Sequence, residues 1–167
     1  IDLDPLNNAG FQMRARTFLY TGRLKEAEEA FRKTLELNPQ STAARGWICW
    51  IQLVQGRLAE AQSMADSLEE KDYHDLLHVY VWWSQGRHDE SRQLLAALEE
   101  RYATVFAYQF AQAHVHQGNV DAAFAWLERG YDQHDPGLHH AFVDPTLAPL
   151  RADPRWSPLM AKLGFAT

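Results

Sequence analysis

Apolar residues along this chain return at intervals of three and four, with polar residues filling the positions between. In "LKEAEEAFRKTLELNP" the returning set is Leu24, Ala27, Phe31 and Leu35; further on it is Leu94, Leu95, Leu98 and Tyr102. That interval follows the helical turn and predicts amphipathic helices, each with one face to bury. The helical stretches come in pairs, beginning with "NAGFQMRARTFLY" and "LKEAEEAFRKTLELNP". The punctuation inside each pair recurs four times: "TGRLKEA" at 21–27, "QGRLAEA" at 55–61, "QGRHDES" at 85–91 and "QGNVDAA" at 117–123. Gly22, Gly56, Gly86 and Gly118 are therefore 34, 30 and 32 residues apart. A glycine here can take the left-handed conformation that ends one helix, so the next can start two or three residues later. Five residues after each glycine stands a small residue, Ala27, Ala61, Ser91 or Ala123, which predicts close approach of the paired helices. Pro39, following Asn38, breaks the first pair from the second.

These helical hairpins resemble the tetratricopeptide repeat, whose typical period is about 34 residues. Phe11, Ala15, Phe18, Gly22, Ala27, Phe31 and Pro39 stand where that family places large, small or breaking residues. The second and third repeats are shortened and lack the terminal proline. The resemblance implies an all-α fold, a right-handed superhelix of about four hairpins (8–41, 42–71, 72–102 and 103–135) and a Pro-rich segment with a capping helix at 136–167. Pro5 lies 34 residues before Pro39, so residues 1–7 read as the tail of a preceding repeat and the natural protein is expected to continue upstream.

After the fourth hairpin, five prolines between 136 and 158 allow only short helical pieces. Asp144-Pro145 and Asp153-Pro154 each read as a helix N-cap followed by proline in the first turn. Trp156, Leu159, Met160 and Leu163 form a one-sided apolar stripe suited to lie across the last hairpin, since a solenoid must cover its open end. The tail resembles the end of tetratricopeptide regions in multidomain bacterial regulators. There an Asp-Pro step is followed by Leu-Arg and then Asp-Pro-Arg with an aromatic residue. Here these are Asp144-Pro145, Leu150-Arg151, Asp153-Pro154-Arg155-Trp156 and Leu159. Such regions often follow a winged-helix, nucleotide cyclase or protein kinase domain.

Composition narrows the function. A hydrophobic fraction of 46% with 23% charged residues is globular and argues against disorder. A net charge of −6 with no Lys/Arg-rich run argues against nucleic acid as a partner of this segment. No stretch approaches the roughly 20 apolar residues of a membrane span, and the first residues do not form a signal peptide. The single cysteine, Cys49, fits a reducing compartment, so a cytoplasmic location is expected. Cys49 lies among Trp47, Ile48, Trp50 and Ile51, which predicts a buried, inert thiol.

Two histidine groups raise the question of a metal. His74-Asp75-Leu76-Leu77-His78 resembles the zinc-protease signature H-E-x-x-H, and its spacing puts both imidazoles on one helix face. In the glycine register, however, His74 occupies the slot of Ala44 and Phe106, and His78 that of Ile48 and Phe110. The pair is therefore expected to pack against neighbouring helices with its ring nitrogens satisfied locally. Asp75 replaces the catalytic glutamate one methylene short, and no third ligand follows at the spacing of those enzymes. The second group is His134, His139 and His140, with Asp135 and Asp144 nearby, in a segment interrupted by proline and glycine. No catalytic residue, cofactor or metal is assigned from sequence, and a metal-dependent hydrolase ranks third among the readings.

In the tetratricopeptide family the first helix of each hairpin lines a concave groove. Transferred by the glycine register, this implies groove positions at Gln12, Arg16 and Leu19, then Trp50 and Leu53, then Tyr73, Leu76, Tyr80 and Trp83, and finally Tyr108, Gln112 and Val115; the alternative is that these side chains, above all in the shortened middle repeats, are buried between helices. Trp and Tyr dominate binding hot spots because they offer large rigid surface with a polar tip. The function expected is a non-catalytic scaffold that binds a protein or peptide. Trp50, Tyr80, Trp83 and Tyr108 would be its anchors, and Arg16 would be placed for a carboxylate. The alternative is self-association, in which the exposed N-terminal hairpin makes a homodimer and so pairs an upstream effector domain.

Overall fold

A computed structural model describes residues 8–165 of the chain; the expectation for residues 1–7 lies outside them. The described residues contain helices and turns and no strand. In order the helices are α1 (Asn8–Tyr20), α2 (Leu24–Leu37), α3 (Thr42–Val54), α4 (Leu58–Asp66), α5 (Lys71–Ser84), α6 (His88–Tyr102), α7 (Ala107–His116), α8 (Val120–Asp132) and α9 (Trp156–Lys162). Two 3-10 segments, Pro136–His140 and Pro145–Leu150, separate α8 from α9. Among the described residues, no helix is long and apolar enough to cross a membrane.

The glycine punctuation works by backbone hydrogen bonding. Gly22, Gly56, Gly86 and Gly118 have φ between +73° and +82°. After α1, the Gly22 N–H donates to Leu19 O at 3.1 Å and the Arg23 N–H reaches back to Phe18 O at 2.8 Å. This pair of bonds satisfies carbonyls that a helix end would otherwise leave open. The same pair recurs at Gly56/Arg57, Gly86/Arg87 and Gly118/Asn119. The turn after α8 repeats it once more with His134 in the left-handed position, at φ 56°. Ala27, Ala61, Ser91 and Ala123, five residues past the glycines, are each fully buried.

The chain forms two compact units, one up to His88 and one from Asp89 onward. In the first unit α1 packs on α2, α2 on α3, α3 on α4, and α5 lies against both α3 and α4. One apolar cluster gathers Ala15, Leu19, Phe31, Ile48 and Ile51; another gathers Cys49, Leu53, Ala61, Leu77 and Val81. Glu28, on α2, joins the repeats electrostatically. Its carboxylate accepts from Arg32 Nη2 at 2.7 Å and from Arg57, at the start of α4. Burial raises the Glu28 pKa, but the two guanidiniums outweigh it and leave the carboxyl below its ordinary value.

In the second unit, α7 and α8 pack as a hairpin, and the segment after α8 closes over them. Leu138, Leu147, Leu150, Trp156, Leu159 and Met160 from that segment share one cluster with Val115, Phe124 and Leu127. Outside this cluster, Arg155 lies over the Phe124 ring at 4.3 Å and bonds Asp121 at 2.8 Å. Lys162 bonds Glu128 and sits 4.2 Å from the Tyr131 ring centre. The stripe Trp156, Leu159, Met160 and Leu163 thus turns toward the last hairpin, with the first three side chains buried.

Candidate functional site

In the first unit, the positions expected to form a groove divide by burial. Gln12 and Arg16 on α1, Trp50 on α3, and Tyr73, Tyr80 and Trp83 on α5 are partly exposed. Trp50 meets Trp47 edge-on at 6.1 Å, and Trp47 in turn stacks on Phe31. Tyr73 and Tyr80 rest on the cluster around Cys49 and Leu77, and the Trp83 ring lies 4.2 Å from that of His88. Leu53 and Leu76 depart from expectation: they are 8% and 4% exposed and belong to the interior. Leu19 is likewise core, at 1%. The physical reason is packing: Leu19 joins the cluster around Phe31 and Ile48, and Leu53 the cluster around Cys49 and Leu77.

The second unit corrects the expectation for Tyr108, Gln112 and Val115, because the chain's own C-terminal segment occupies their face. Tyr108 is buried, and its hydroxyl donates to Asp144 Oδ2 at 2.6 Å. Gln112 Nε2 donates to the same oxygen at 2.9 Å and to Thr146 Oγ1 at 3.0 Å. Val115 is 9% exposed in the cluster beneath. Asp144 is fully buried, and its other oxygen accepts from the Thr146 N–H and hydroxyl. Burial still raises its pKa above the ordinary aspartate value, against the pull of those hydrogen bonds. Asp135 also spans the two elements. Its Oδ1 takes the Gly137 N–H at 2.8 Å, and its Oδ2 takes the Tyr108 N–H at 3.0 Å, capping α7 from 27 residues away. A Cβ at Gly137 would stand 2.6 Å from the Tyr108 ring, which is why that close approach needs glycine.

The two histidine groups fare differently. His134 is exposed in its turn, while Asp135 and Asp144 spend their oxygens on helix caps and α7, so this group does not converge on a common point. The first group does converge. His74 and His78 lie one turn apart on α5 with ring centres 4.2 Å apart, and α4 ends by presenting Asp66 to them. Donor atoms of Asp66, His74 and His78 all lie within 4.8 Å of one another. His78 is buried as its register slot implied, His74 is partly exposed and Asp66 is exposed. Asp66, the third group of this cluster, stands eight residues before the pair and on another helix, not after it. Cys49 is fully buried, its thiol donates to Ala61 O at 3.7 Å, and burial pushes its pKa up to about 12.

Helical hairpins closed by glycine turns, with small residues at the crossings and aromatic side chains along the first helices, define a repeat scaffold. Tetratricopeptide-repeat family profiles match residues 18–80 and 83–137, more than half of the chain. The chain belongs to the tetratricopeptide-repeat family. Among solved structures it is similar to the crystal structure of PilW, a widely conserved type IV pilus biogenesis factor. That likeness has a TM-score of 0.52 at 17% identity and spans 98% of this chain and 86% of the other, and it speaks to the fold. The search of curated proteins returned no match.

Proposed function

We propose that this chain is a non-catalytic protein-binding module, and that its first unit takes a peptide or helix on the first helices of its repeats. Trp50 and Tyr80 would be the central anchors, flanked by Tyr73 and Trp83, with Gln12 and Arg16 supplying polar contacts. The observation that carries this reading is internal to the protein. Six residues before the turn glycine, the slot held by Gln112 in α7 grips the Asp144–Thr146 stretch of the C-terminal segment. The same slot holds Tyr80 in α5, Trp50 in α3 and Arg16 in α1. A short helical turn opened by a carboxylate and carrying apolar side chains is thus a ligand this face of a repeat accommodates. The finer context, a regulatory region of a larger bacterial signalling protein, is supported by the tail sequence from Asp144 to Leu159.

The test is a selection of displayed random peptides on the immobilised chain, followed by titration of the winners. Peptides should bind the wild type and lose at least about tenfold in affinity to a Trp50→Ser/Tyr80→Ser variant, since aromatic anchors at a hot spot cost upward of ~1.4 kcal/mol each. Circular dichroism should show unchanged helicity. Equal affinity for both proteins, or no selectable peptide, would overturn the assignment.

A further inference from the structure

The convergence of Asp66, His74 and His78 is not used by peptide binding, and it has an internal logic of its own. Each imidazole has its Nδ1 engaged by an acceptor. His78 Nδ1–H donates to the His74 carbonyl at 2.8 Å, and His74 Nδ1–H donates to Asp75 Oδ1 at 3.0 Å. A proton held on Nδ1 leaves the lone pair on Nε2, which is how metal-binding histidines are oriented by the groups behind them. The carboxylate behind His74 is itself held in place by Lys71 Nζ, 2.7 Å from Asp75 Oδ2.

With that tautomer, the Nε2 lone pair of His78 accepts from the Gln62 side-chain amide at 2.9 Å and lies 3.0 Å from Asp66 Oδ1. The same amide nitrogen donates to Asp66 at 2.8 Å, and Gln62 Oε1 accepts from Gln85 Nε2 at 3.1 Å. Imidazole nitrogen and carboxylate oxygen thus point at one spot that a donor already serves, and a cation placed between them would take both lone pairs in place of the amide.

We propose that Asp66, His74 and His78 bind a divalent transition metal ion of the zinc class, through His78 Nε2, a ring nitrogen of His74 and one Asp66 oxygen. Two imidazoles and a carboxylate are an ordinary ligand set for Zn²⁺. With bonds of about 2.1 Å, a tetrahedral ion wants its donors about 3.4 Å apart. Donors already within 4.8 Å of one another reach that spacing by rotation of the partly exposed His74 and exposed Asp66 side chains. Those two residues also open the site to solvent, so an ion can enter and a water can complete its shell. The role is structural: the ion ties the end of α4 to α5, one repeat to the next. Asp75, at the place of the catalytic glutamate in the zinc-protease signature, is committed to His74 and Lys71 and is not available as a base.

The experiment is calorimetric titration of ZnCl₂ into chelator-treated, dialysed chain, with Co²⁺ absorption as a second readout. Wild type should bind one equivalent and show the intense visible bands of four-coordinate cobalt. His74→Gln and Asp66→Asn should each weaken binding by about tenfold or more, the loss typical for a ligand or its support. His139→Gln, in the other histidine group, should bind as wild type does. Absence of binding to the wild type, equal binding by the Asp66 and His74 variants, or loss confined to His139→Gln would each overturn the site.

Discussion

At His134 the chain departs from its own rule. Every other turn of this type among the described residues has glycine in the left-handed position, including Gly164 after α9. A side chain with a Cβ pays roughly 1–2 kcal/mol there, partly offset by the freedom glycine loses on folding. His134→Gly should therefore stabilise the protein by about 0.5–1 kcal/mol, read from urea denaturation of the second unit. The imidazole is exposed, so little packing is at stake. Residue types also explain what was legible in the sequence. Gly22, Gly56, Gly86 and Gly118 stand out because only glycine serves their conformation without strain, and each marks the end of a helix. His134 gave no such signal, and the turn it makes was invisible beforehand. Asp66 was missed for a different reason: its meeting with His74 and His78 depends on where α4 stops, which no local spacing encodes.

At the scale of elements, hairpins are read well and the faces they present are read poorly. The three- and four-residue period identifies which face of a helix is apolar, but not what covers it. On α3 and α5 the expected groove positions include both partly exposed aromatics and the interior residues Leu53 and Leu76. On α7 the C-terminal segment covers the positions expected to line a groove. Joints between elements were equally silent. Glu28 looked like one acid among several on α2, and only folding brings Arg57 to it. Glu28→Ala should cost about 2 kcal/mol at neutral pH, because it leaves Arg57, a partly buried cation, without that carboxylate. The Glu28 carboxyl lies below its ordinary value in the folded chain, so its contribution is present above the unfolded-state pKa and is lost as pH falls through the folded one. The stability gap between wild type and Glu28→Ala should accordingly close in acid; a gap that stays constant from neutral pH to about pH 3 would contradict the pairing.

For the whole molecule, the fold class was plain from the repeat, while the part played by the tail was only half plain. Its capping stripe was readable from Trp156 to Leu163. The hold of Asp144 on Tyr108 and Gln112 was not, because a buried aspartate before a proline looks the same in sequence as a simple helix cap. Removing everything after Val143 takes Leu147, Leu150, Trp156, Leu159 and Met160 out of the cluster of the second unit. Large apolar side chains lost from a core cost about 2–5 kcal/mol each, and five of them exceed the 5–15 kcal/mol that typically holds a domain together. The truncated chain should lose amide-exchange protection in α7 and α8 while α1 to α4 keep theirs. Protection that survives in α7 would show that the tail is an addition to a finished unit rather than part of it.

The cap that Asp135 places on α7 also bears on the order in which the protein can be built. Contacts within each hairpin close short loops and can form as the chain lengthens. The N–H of Tyr108 meets its acceptor 27 residues later, and its hydroxyl meets Asp144 only after 36. A ribosome adding about 5–20 residues each second therefore exposes α7 for a second or more before either partner emerges. During that interval the face that will receive the tail is open to whatever else is nearby, so this repeat depends on chain made well after its own first helix.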